Sequence, residues 1–255
     1  MAGLLDASLI SPLLAAIFLY YATRTVYRLY FHPLSRFPGP KLAAATRWYE
    51  GYYDAILNGR YLFKIAELHE EYGPIIRISP YELHVSDPAF FKELYCQEGR
   101  WDRYAWSWYA FMQKYASVCT VDHDLHRRRR APMSSFFSKA AVASRLDIVT
   151  RNLQRLCERI DGFAESDSSV NLGTALSAFA GDAGTEFVLG KPYGNLDRQD
   201  FNAGMTSVVQ NGGAIWLITK HVRWFGPLLK SIPMNVLDKI GDDGVRAFHA
   251  YMRVC

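Results

Sequence analysis

Apolar positions along this chain fall into one long run and several shorter periodic stretches. Ala7 to Ala22 is apolar apart from Ser8 and Ser11, with Pro12 near its start, and only Asp6 interrupts the residues before Arg24. A stretch of about 20 apolar residues is long enough for a membrane-spanning helix. Tyr61 to Tyr72 has helical spacing and stops at Gly73-Pro74. Ile75-Ile76-Arg77-Ile78-Ser79 and Glu82-Leu83-His84-Val85-Ser86, joined through Pro80-Tyr81, predict a β-hairpin, the clearest strand signal in the chain. Asp87-Pro88 predicts a capped helix start with proline in its first turn. Val142, Leu146, Val149, Leu153, Leu156 and Ile160 repeat by fours and threes, which predicts an amphipathic helix. Val170 to Leu189 predicts another, closed by Gly190, and Phe201 to Ile218 a third, aromatic and weakly polar. A last amphipathic stretch runs through Val236, Leu237, Ile240, Val245, Phe248 and Met252. The pattern predicts a mainly α fold with one small β-hairpin.

Charge placement gives the first run a direction. Arg24, Arg28, Arg36 and Lys41 follow it and none precedes it. By the positive-inside rule, residues 1–22 form a single-pass signal-anchor with the body facing the cytosol, and Tyr20, Tyr21, Tyr27 and Tyr30 fit an interfacial aromatic belt. The expected site is the endoplasmic reticulum membrane. A cleaved signal peptide would carry its positive charge before the run; a buried core helix remains the alternative. Phe37-Pro38-Gly39-Pro40 excludes helix and central strand, so residues 23–60 read as a basic, proline-containing linker and 61–255 as the body.

Composition narrows the class. The chain has 255 residues, 50% apolar and 21% charged, with a 15% aromatic share, which excludes a disordered protein. Cys96, Cys119, Cys157 and Cys255 are scattered without metal-ligand spacing and read as reduced thiols. His123 and His126 are three apart, but no third ligand is evident and the neighbouring arginines would repel a cation, so no metal site is expected. No catalytic motif emerges from the residues alone.

The formal net charge is +4, and Arg127-Arg128-Arg129-Arg130 alone would account for it. The excess is local, as one anion or one acidic face requires. The flanks are Asp122, Asp124 and an apolar stretch, which argues against nucleic acid. On a helix His126 and Arg130 share a face, while Arg127 and Arg128 point elsewhere. The pair therefore faces a buried acid, or else the run is a solvated basic helix start.

Three segments together resemble a known family. They are Tyr-Arg-Leu-Tyr-Phe-His-Pro-Leu-Ser-Arg-Phe-Pro-Gly-Pro (27–40), Glu-Tyr-Gly-Pro-Ile-Ile-Arg-Ile-Ser-Pro-Tyr-Glu-Leu-His-Val-Ser-Asp-Pro (71–88) and His-Asp-Leu-His-Arg-Arg-Arg-Arg-Ala-Pro-Met-Ser-Ser-Phe-Phe-Ser (123–138). In this order they resemble the N-terminal half of a fungal membrane-bound cytochrome P-450, a haem-thiolate monooxygenase. The resemblance implies an incomplete P-450 fold and haem as cofactor. His126 and Arg130 stand where the family's Trp-x-x-x-Arg pattern binds haem propionates. It implies a substrate pocket near Trp106–Thr120 and Gln210–Ile218, here Phe111, Val118, Cys119, Thr120, Ile215 and Trp216. It also implies a lipophilic substrate such as a terpenoid or polyketide, and NADPH-cytochrome reductase as partner.

The family's Glu-x-x-Arg and Phe-x-x-Gly-x-Arg-x-Cys-x-Gly motifs do not occur in these residues. That last cysteine is the thiolate ligand, so the chain by itself is expected to be inactive, a fragment or an incomplete gene model. The alternative is a non-catalytic, membrane-anchored helical protein that binds a partner.

Overall fold

The computed structural model describes residues 7–96, 98–113, 115–233 and 235–236. The last amphipathic stretch, from Leu237 to Met252, lies outside the described residues. The chain divides into two compact units, Met1–Gly99 and Arg100–Cys255.

The first unit begins with α1, Ala7–Val26. A helix forms where the apolar run predicts one, but the expected single-pass anchor in the endoplasmic reticulum membrane is not supported. Among the described residues no helix is long and apolar enough to cross a membrane. Ser8, Ser11 and Pro12 break the start of the run, and Tyr20, Tyr21, Thr23 and Arg24 occupy its last turns. The unbroken apolar part, Leu13 to Leu19, covers about 10 Å of helix, against a hydrocarbon layer of roughly 30 Å.

Two of the basic residues read as topology signals, Arg24 and Arg28, bond within their own unit. Arg28 donates to the Ala45 carbonyl at 2.6 Å and to the Tyr81 hydroxyl at 2.9 Å, and Arg24 reaches the same hydroxyl at 3.3 Å. They hold the helix end to the hairpin of their own unit.

Short helices α2 (Lys41–Ala45) and α3 (Trp48–Gly51) lead to α4, Tyr61–Tyr72. Gly73 ends α4 at φ 94°, a conformation that favours glycine. Strands β1 (Ile75–Ser79) and β2 (Glu82–Val85) pair antiparallel, with Ile75 opposite Val85 and a bulge between Arg77 and Ser79. Tyr61, Ile65 and Leu68 of α4 bury against Ile76 of β1, ringed by Tyr49, Tyr53, Tyr72 and Ile78. Asp87 caps the next turn by accepting from the Ala89 amide at 2.9 Å, as the sequence predicts. The helix it opens is short, a 3₁₀ turn and then α5, Phe91–Leu94.

The Phe37–Pro40 segment is neither helix nor strand, and it is docked on β1. The Arg77 amide donates to the Pro38 carbonyl at 2.7 Å. The Arg77 guanidinium is buried and donates to the carbonyls of Arg28 and Pro80, both at 2.8 Å. Gly39 lies so close that a Cβ on it would sit 2.5 Å from the Arg77 carbonyl oxygen, at φ +147°. Gly39→Ala should therefore cost about 3 kcal/mol or more, from backbone strain and the displaced Pro38–Arg77 bond together. A drop of several degrees in the thermal unfolding midpoint is the expected readout; an unchanged midpoint would mean that the segment is not docked.

The second unit contains α6 (Ala105–Trp108), α7 (His123–Ser134), α8 (Lys139–Ala143), α9 (Leu146–Glu165), α10 (Leu172–Leu189), α11 (Ala203–His221) and α12 (Phe225–Ser231). The stripe from Val142 to Ile160 is split between α8 and α9 by Ser144 and Arg145. Leu156 is buried against Ala175 and Ala178 of α10, together with Leu196 and Phe201, while Leu146, Val149 and Leu153 are exposed. Gly190 closes α10 at φ 77°, where the sequence places the stop.

Candidate functional site

The start of α7 is held by its neighbours. Asp122 caps it by accepting from the Leu125 amide at 2.7 Å, and Asp102 accepts from the His123 amide at 2.9 Å. The Arg103 amide donates to the Val121 carbonyl at 3.0 Å. These bonds bring the segment before α6 alongside the helix that carries the arginine run.

Arg103 lies 3.3 Å from His126, guanidinium nitrogen to Nε2. Its other terminal nitrogen donates to the Val118 carbonyl, and its guanidinium stacks over the Trp108 ring at 4.5 Å. A guanidinium only donates, so Nε2 of His126 is the acceptor and the ring proton sits on Nδ1. Burial first, then the charges of Arg103, Arg130 and His123, holds the His126 pKa below the usual imidazole value. A neutral imidazole that donates from Nδ1 follows.

The expected inward pair is only half present. His126 is half-buried, Arg130 is exposed, and Arg127 and Arg128 are exposed as foreseen. Arg129 is half-buried and donates to the Thr120 hydroxyl at 2.8 Å. With Leu125, one turn earlier, it forms the face of α7 that looks into a cavity.

That cavity has a volume of about 920 Å³ and lies between α6, the turn after it, the start of α7, the end of α11 and α12. Three contacts tie α11 and α12 to its other wall. Thr219 donates to the Ala110 carbonyl at 2.9 Å, Trp216 Nε1 to the Ser107 carbonyl at 3.4 Å, and Lys230 to the Met112 carbonyl at 3.3 Å. Gly226 packs directly on the Met112 sulfur.

Among the residues expected in a pocket, Cys119 and Thr120 are buried and line the cavity. Burial pushes the Cys119 thiol above its usual pKa. Phe111 and Trp216 stack on each other, with centroids 5.4 Å apart and planes at 26°, beside the lining. Ile215 is half-buried, and the Val118 side chain is exposed. Sequence reasoning did not single out Arg103, Arg129, Thr219, Arg223 or Lys230. Arg129 stood within the arginine run, but nothing in the run set it apart from its neighbours; the others are single polar residues whose roles depend on contacts distant in sequence.

Comparison with known proteins supplies the context. The cytochrome P450 family model matches residues 48–242. A cytochrome P450 monooxygenase of Cochliobolus heterostrophus is 38% identical over 237 residues, covering 92% of this chain and 45% of that protein. A tryptophan 6-hydroxylase of Fusarium equiseti is 38% identical over 225 residues, 88% of this chain and 44% of the relative. A conidiogenone synthase of Penicillium rubens is 38% identical over 222 residues, 84% and 44% respectively. The chain thus spans about half the length of the curated relatives it matches. No solved structure matches it. With the family model covering most of its length and several fungal monooxygenases alike over nearly all of it, the chain belongs to the cytochrome P450 family.

Proposed function

We propose that this chain supplies the propionate-binding side and one wall of the substrate pocket of a fungal monooxygenase that oxidises a lipophilic small molecule. The observation that carries the reading is the double use of α7. One face of it, Leu125 and Arg129, lines an aromatic cavity, and the adjacent face presents His126 to Arg103 with Arg130 one turn on.

Haem is the cofactor that family membership implies. The residues present fit its carboxylate edge. Arg103 and His126 meet at 3.3 Å, with no carboxylate of the described residues bonded to either, and Arg130 lies near enough to lower the His126 pKa. Such a group of donors suits an acid supplied from outside the chain. His126 would donate from Nδ1, and Arg103 and Arg130 would add charge-assisted bonds. Bound through a thiolate, haem activates dioxygen in this family. The motif that carries the thiolate is not among these 255 residues, so the chain alone is proposed to be inactive.

The pocket wall would position an apolar substrate by aromatic contact with Trp106, Trp108 and Tyr109 and exclude water from it. Electrons would come from an NADPH-cytochrome reductase, as the resemblance implies. The purified chain, given hemin, reductase and NADPH, should show no thiolate-type carbon-monoxide band and no turnover. Joined to the remaining length of a fungal relative, it should show both. A chimera that folds and carries the thiolate motif but shows no such band would overturn the reading.

A further inference from the structure

We propose that the cavity of the second unit takes an apolar, ring-bearing ligand with a carboxylate, so that its substrates are lipophilic acids. The inference rests on the reading of this cavity as the substrate pocket and adds the charge that the substrate carries.

Two properties of the lining lead to it. The walls contributed by Trp106, Trp108 and Tyr109 are aromatic and suit a flat apolar body. Among the described residues, the charged groups on the lining are Arg129, Lys220, Arg223 and Lys230, against the single acid Asp122. Asp122 is already committed. It caps α7 through the Leu125 amide at 2.7 Å, and its second oxygen lies 3.9 Å from Arg100.

Arg223 and Lys230 meet neutral partners. The Arg223 guanidinium stacks over the Trp106 ring at 4.9 Å, and Lys230 donates to the Met112 carbonyl at 3.3 Å. A stacked guanidinium keeps its in-plane donors, and an ammonium has three, so both retain hydrogen-bonding capacity for a ligand. Cations around an apolar-walled cavity raise the local concentration of anions. A neutral hydrocarbon would fill the walls and leave the charge unanswered, and inorganic phosphate would answer the charge and leave the walls empty. An amphipathic acid satisfies both.

The full chain is titrated with 1-pyrenebutyrate and 1-pyrenebutanol, probes alike but for the head group, and quenching of tryptophan fluorescence is read. The acid is expected to bind about 10-fold tighter than the alcohol, as one charge-assisted pair provides. In the Arg223→Gln/Lys230→Gln variant the ratio of the two affinities should fall to within about twofold. If the double variant loses its helical circular dichroism, Arg223→Gln and Lys230→Met singly read the same ratio. Equal binding of both probes to the wild-type chain overturns the acid preference and leaves the pocket standing. Binding of neither overturns both readings. A preference that survives all of these substitutions overturns the assignment to Arg223 and Lys230.

Discussion

Asp182→Ala should unfold much of the second unit under mild denaturant. Asp182 lies within α10, fully buried, and accepts from the amides of Asn195 and Leu196, both at 2.9 Å. The loop it holds carries Leu196 into the core beside Leu156 and Phe201. Arg159 reinforces the same loop by donating to the Leu196 carbonyl while its guanidinium lies over the Phe201 ring at 4.6 Å. Alanine would leave two buried amide donors without partners, at about 1–3 kcal/mol each. A loss of about 2–6 kcal/mol compares with a total stability of roughly 5–15 kcal/mol for a typical domain. Asp182→Asn should cost about half as much, because the carboxamide keeps one acceptor and turns a donor toward the other amide. Urea titration followed by circular dichroism reads both, and an Asp182→Ala loss below about 1 kcal/mol would mean that water replaces the carboxylate.

Locally encoded elements were legible in the sequence. The helix from Tyr61 to Tyr72, the hairpin and the stop at Gly190 stand where spacing and turn chemistry put them. Each depends on residues within a few positions of one another. Features that depend on distant partners were not legible. The apolar run of α1 looks like a span until Pro12, Tyr20, Tyr21 and Arg24 are weighed, and Arg24, with Arg28 just after the helix, finds Tyr81 more than fifty residues away. The stripe through α9 is real, yet only its later part is covered by α10. Spacing put His126 and Arg130 on one face of α7. It could not show that Arg103 would meet the histidine, or that Arg129 would turn to Thr120. The positions of Arg223 and Lys230 rest on contacts such as Thr219 to Ala110, 109 residues apart. Family membership was legible because it rests on contiguous motifs, which need no tertiary contact to be read.

In a chimera carrying the remaining length of a fungal relative, Arg130→Ala and His126→Ala should each weaken haem retention more than Arg128→Ala. Each lost charge-assisted bond is worth about 1.5–3 kcal/mol, or roughly 10- to 150-fold in the haem dissociation constant. Arg128 is exposed, lies off the face shared by His126 and Arg130, and serves as the control. Arg103 makes a sharper test. It contacts His126 at 3.3 Å and is held by the Val118 carbonyl and the Trp108 ring, so it would stand beside the same acid. Arg103→Gln should weaken haem retention about as much as Arg130→Ala. It should also raise the His126 pKa toward the ordinary imidazole value, because Arg103 is the largest charge lowering it. Haem loss is followed by transfer to apomyoglobin, and the imidazole by NMR titration of the full chain without haem. Equal haem loss from Arg128→Ala and Arg130→Ala would show that the propionates meet another face of α7. A His126 pKa unmoved by Arg103→Gln would show that the two side chains part in solution.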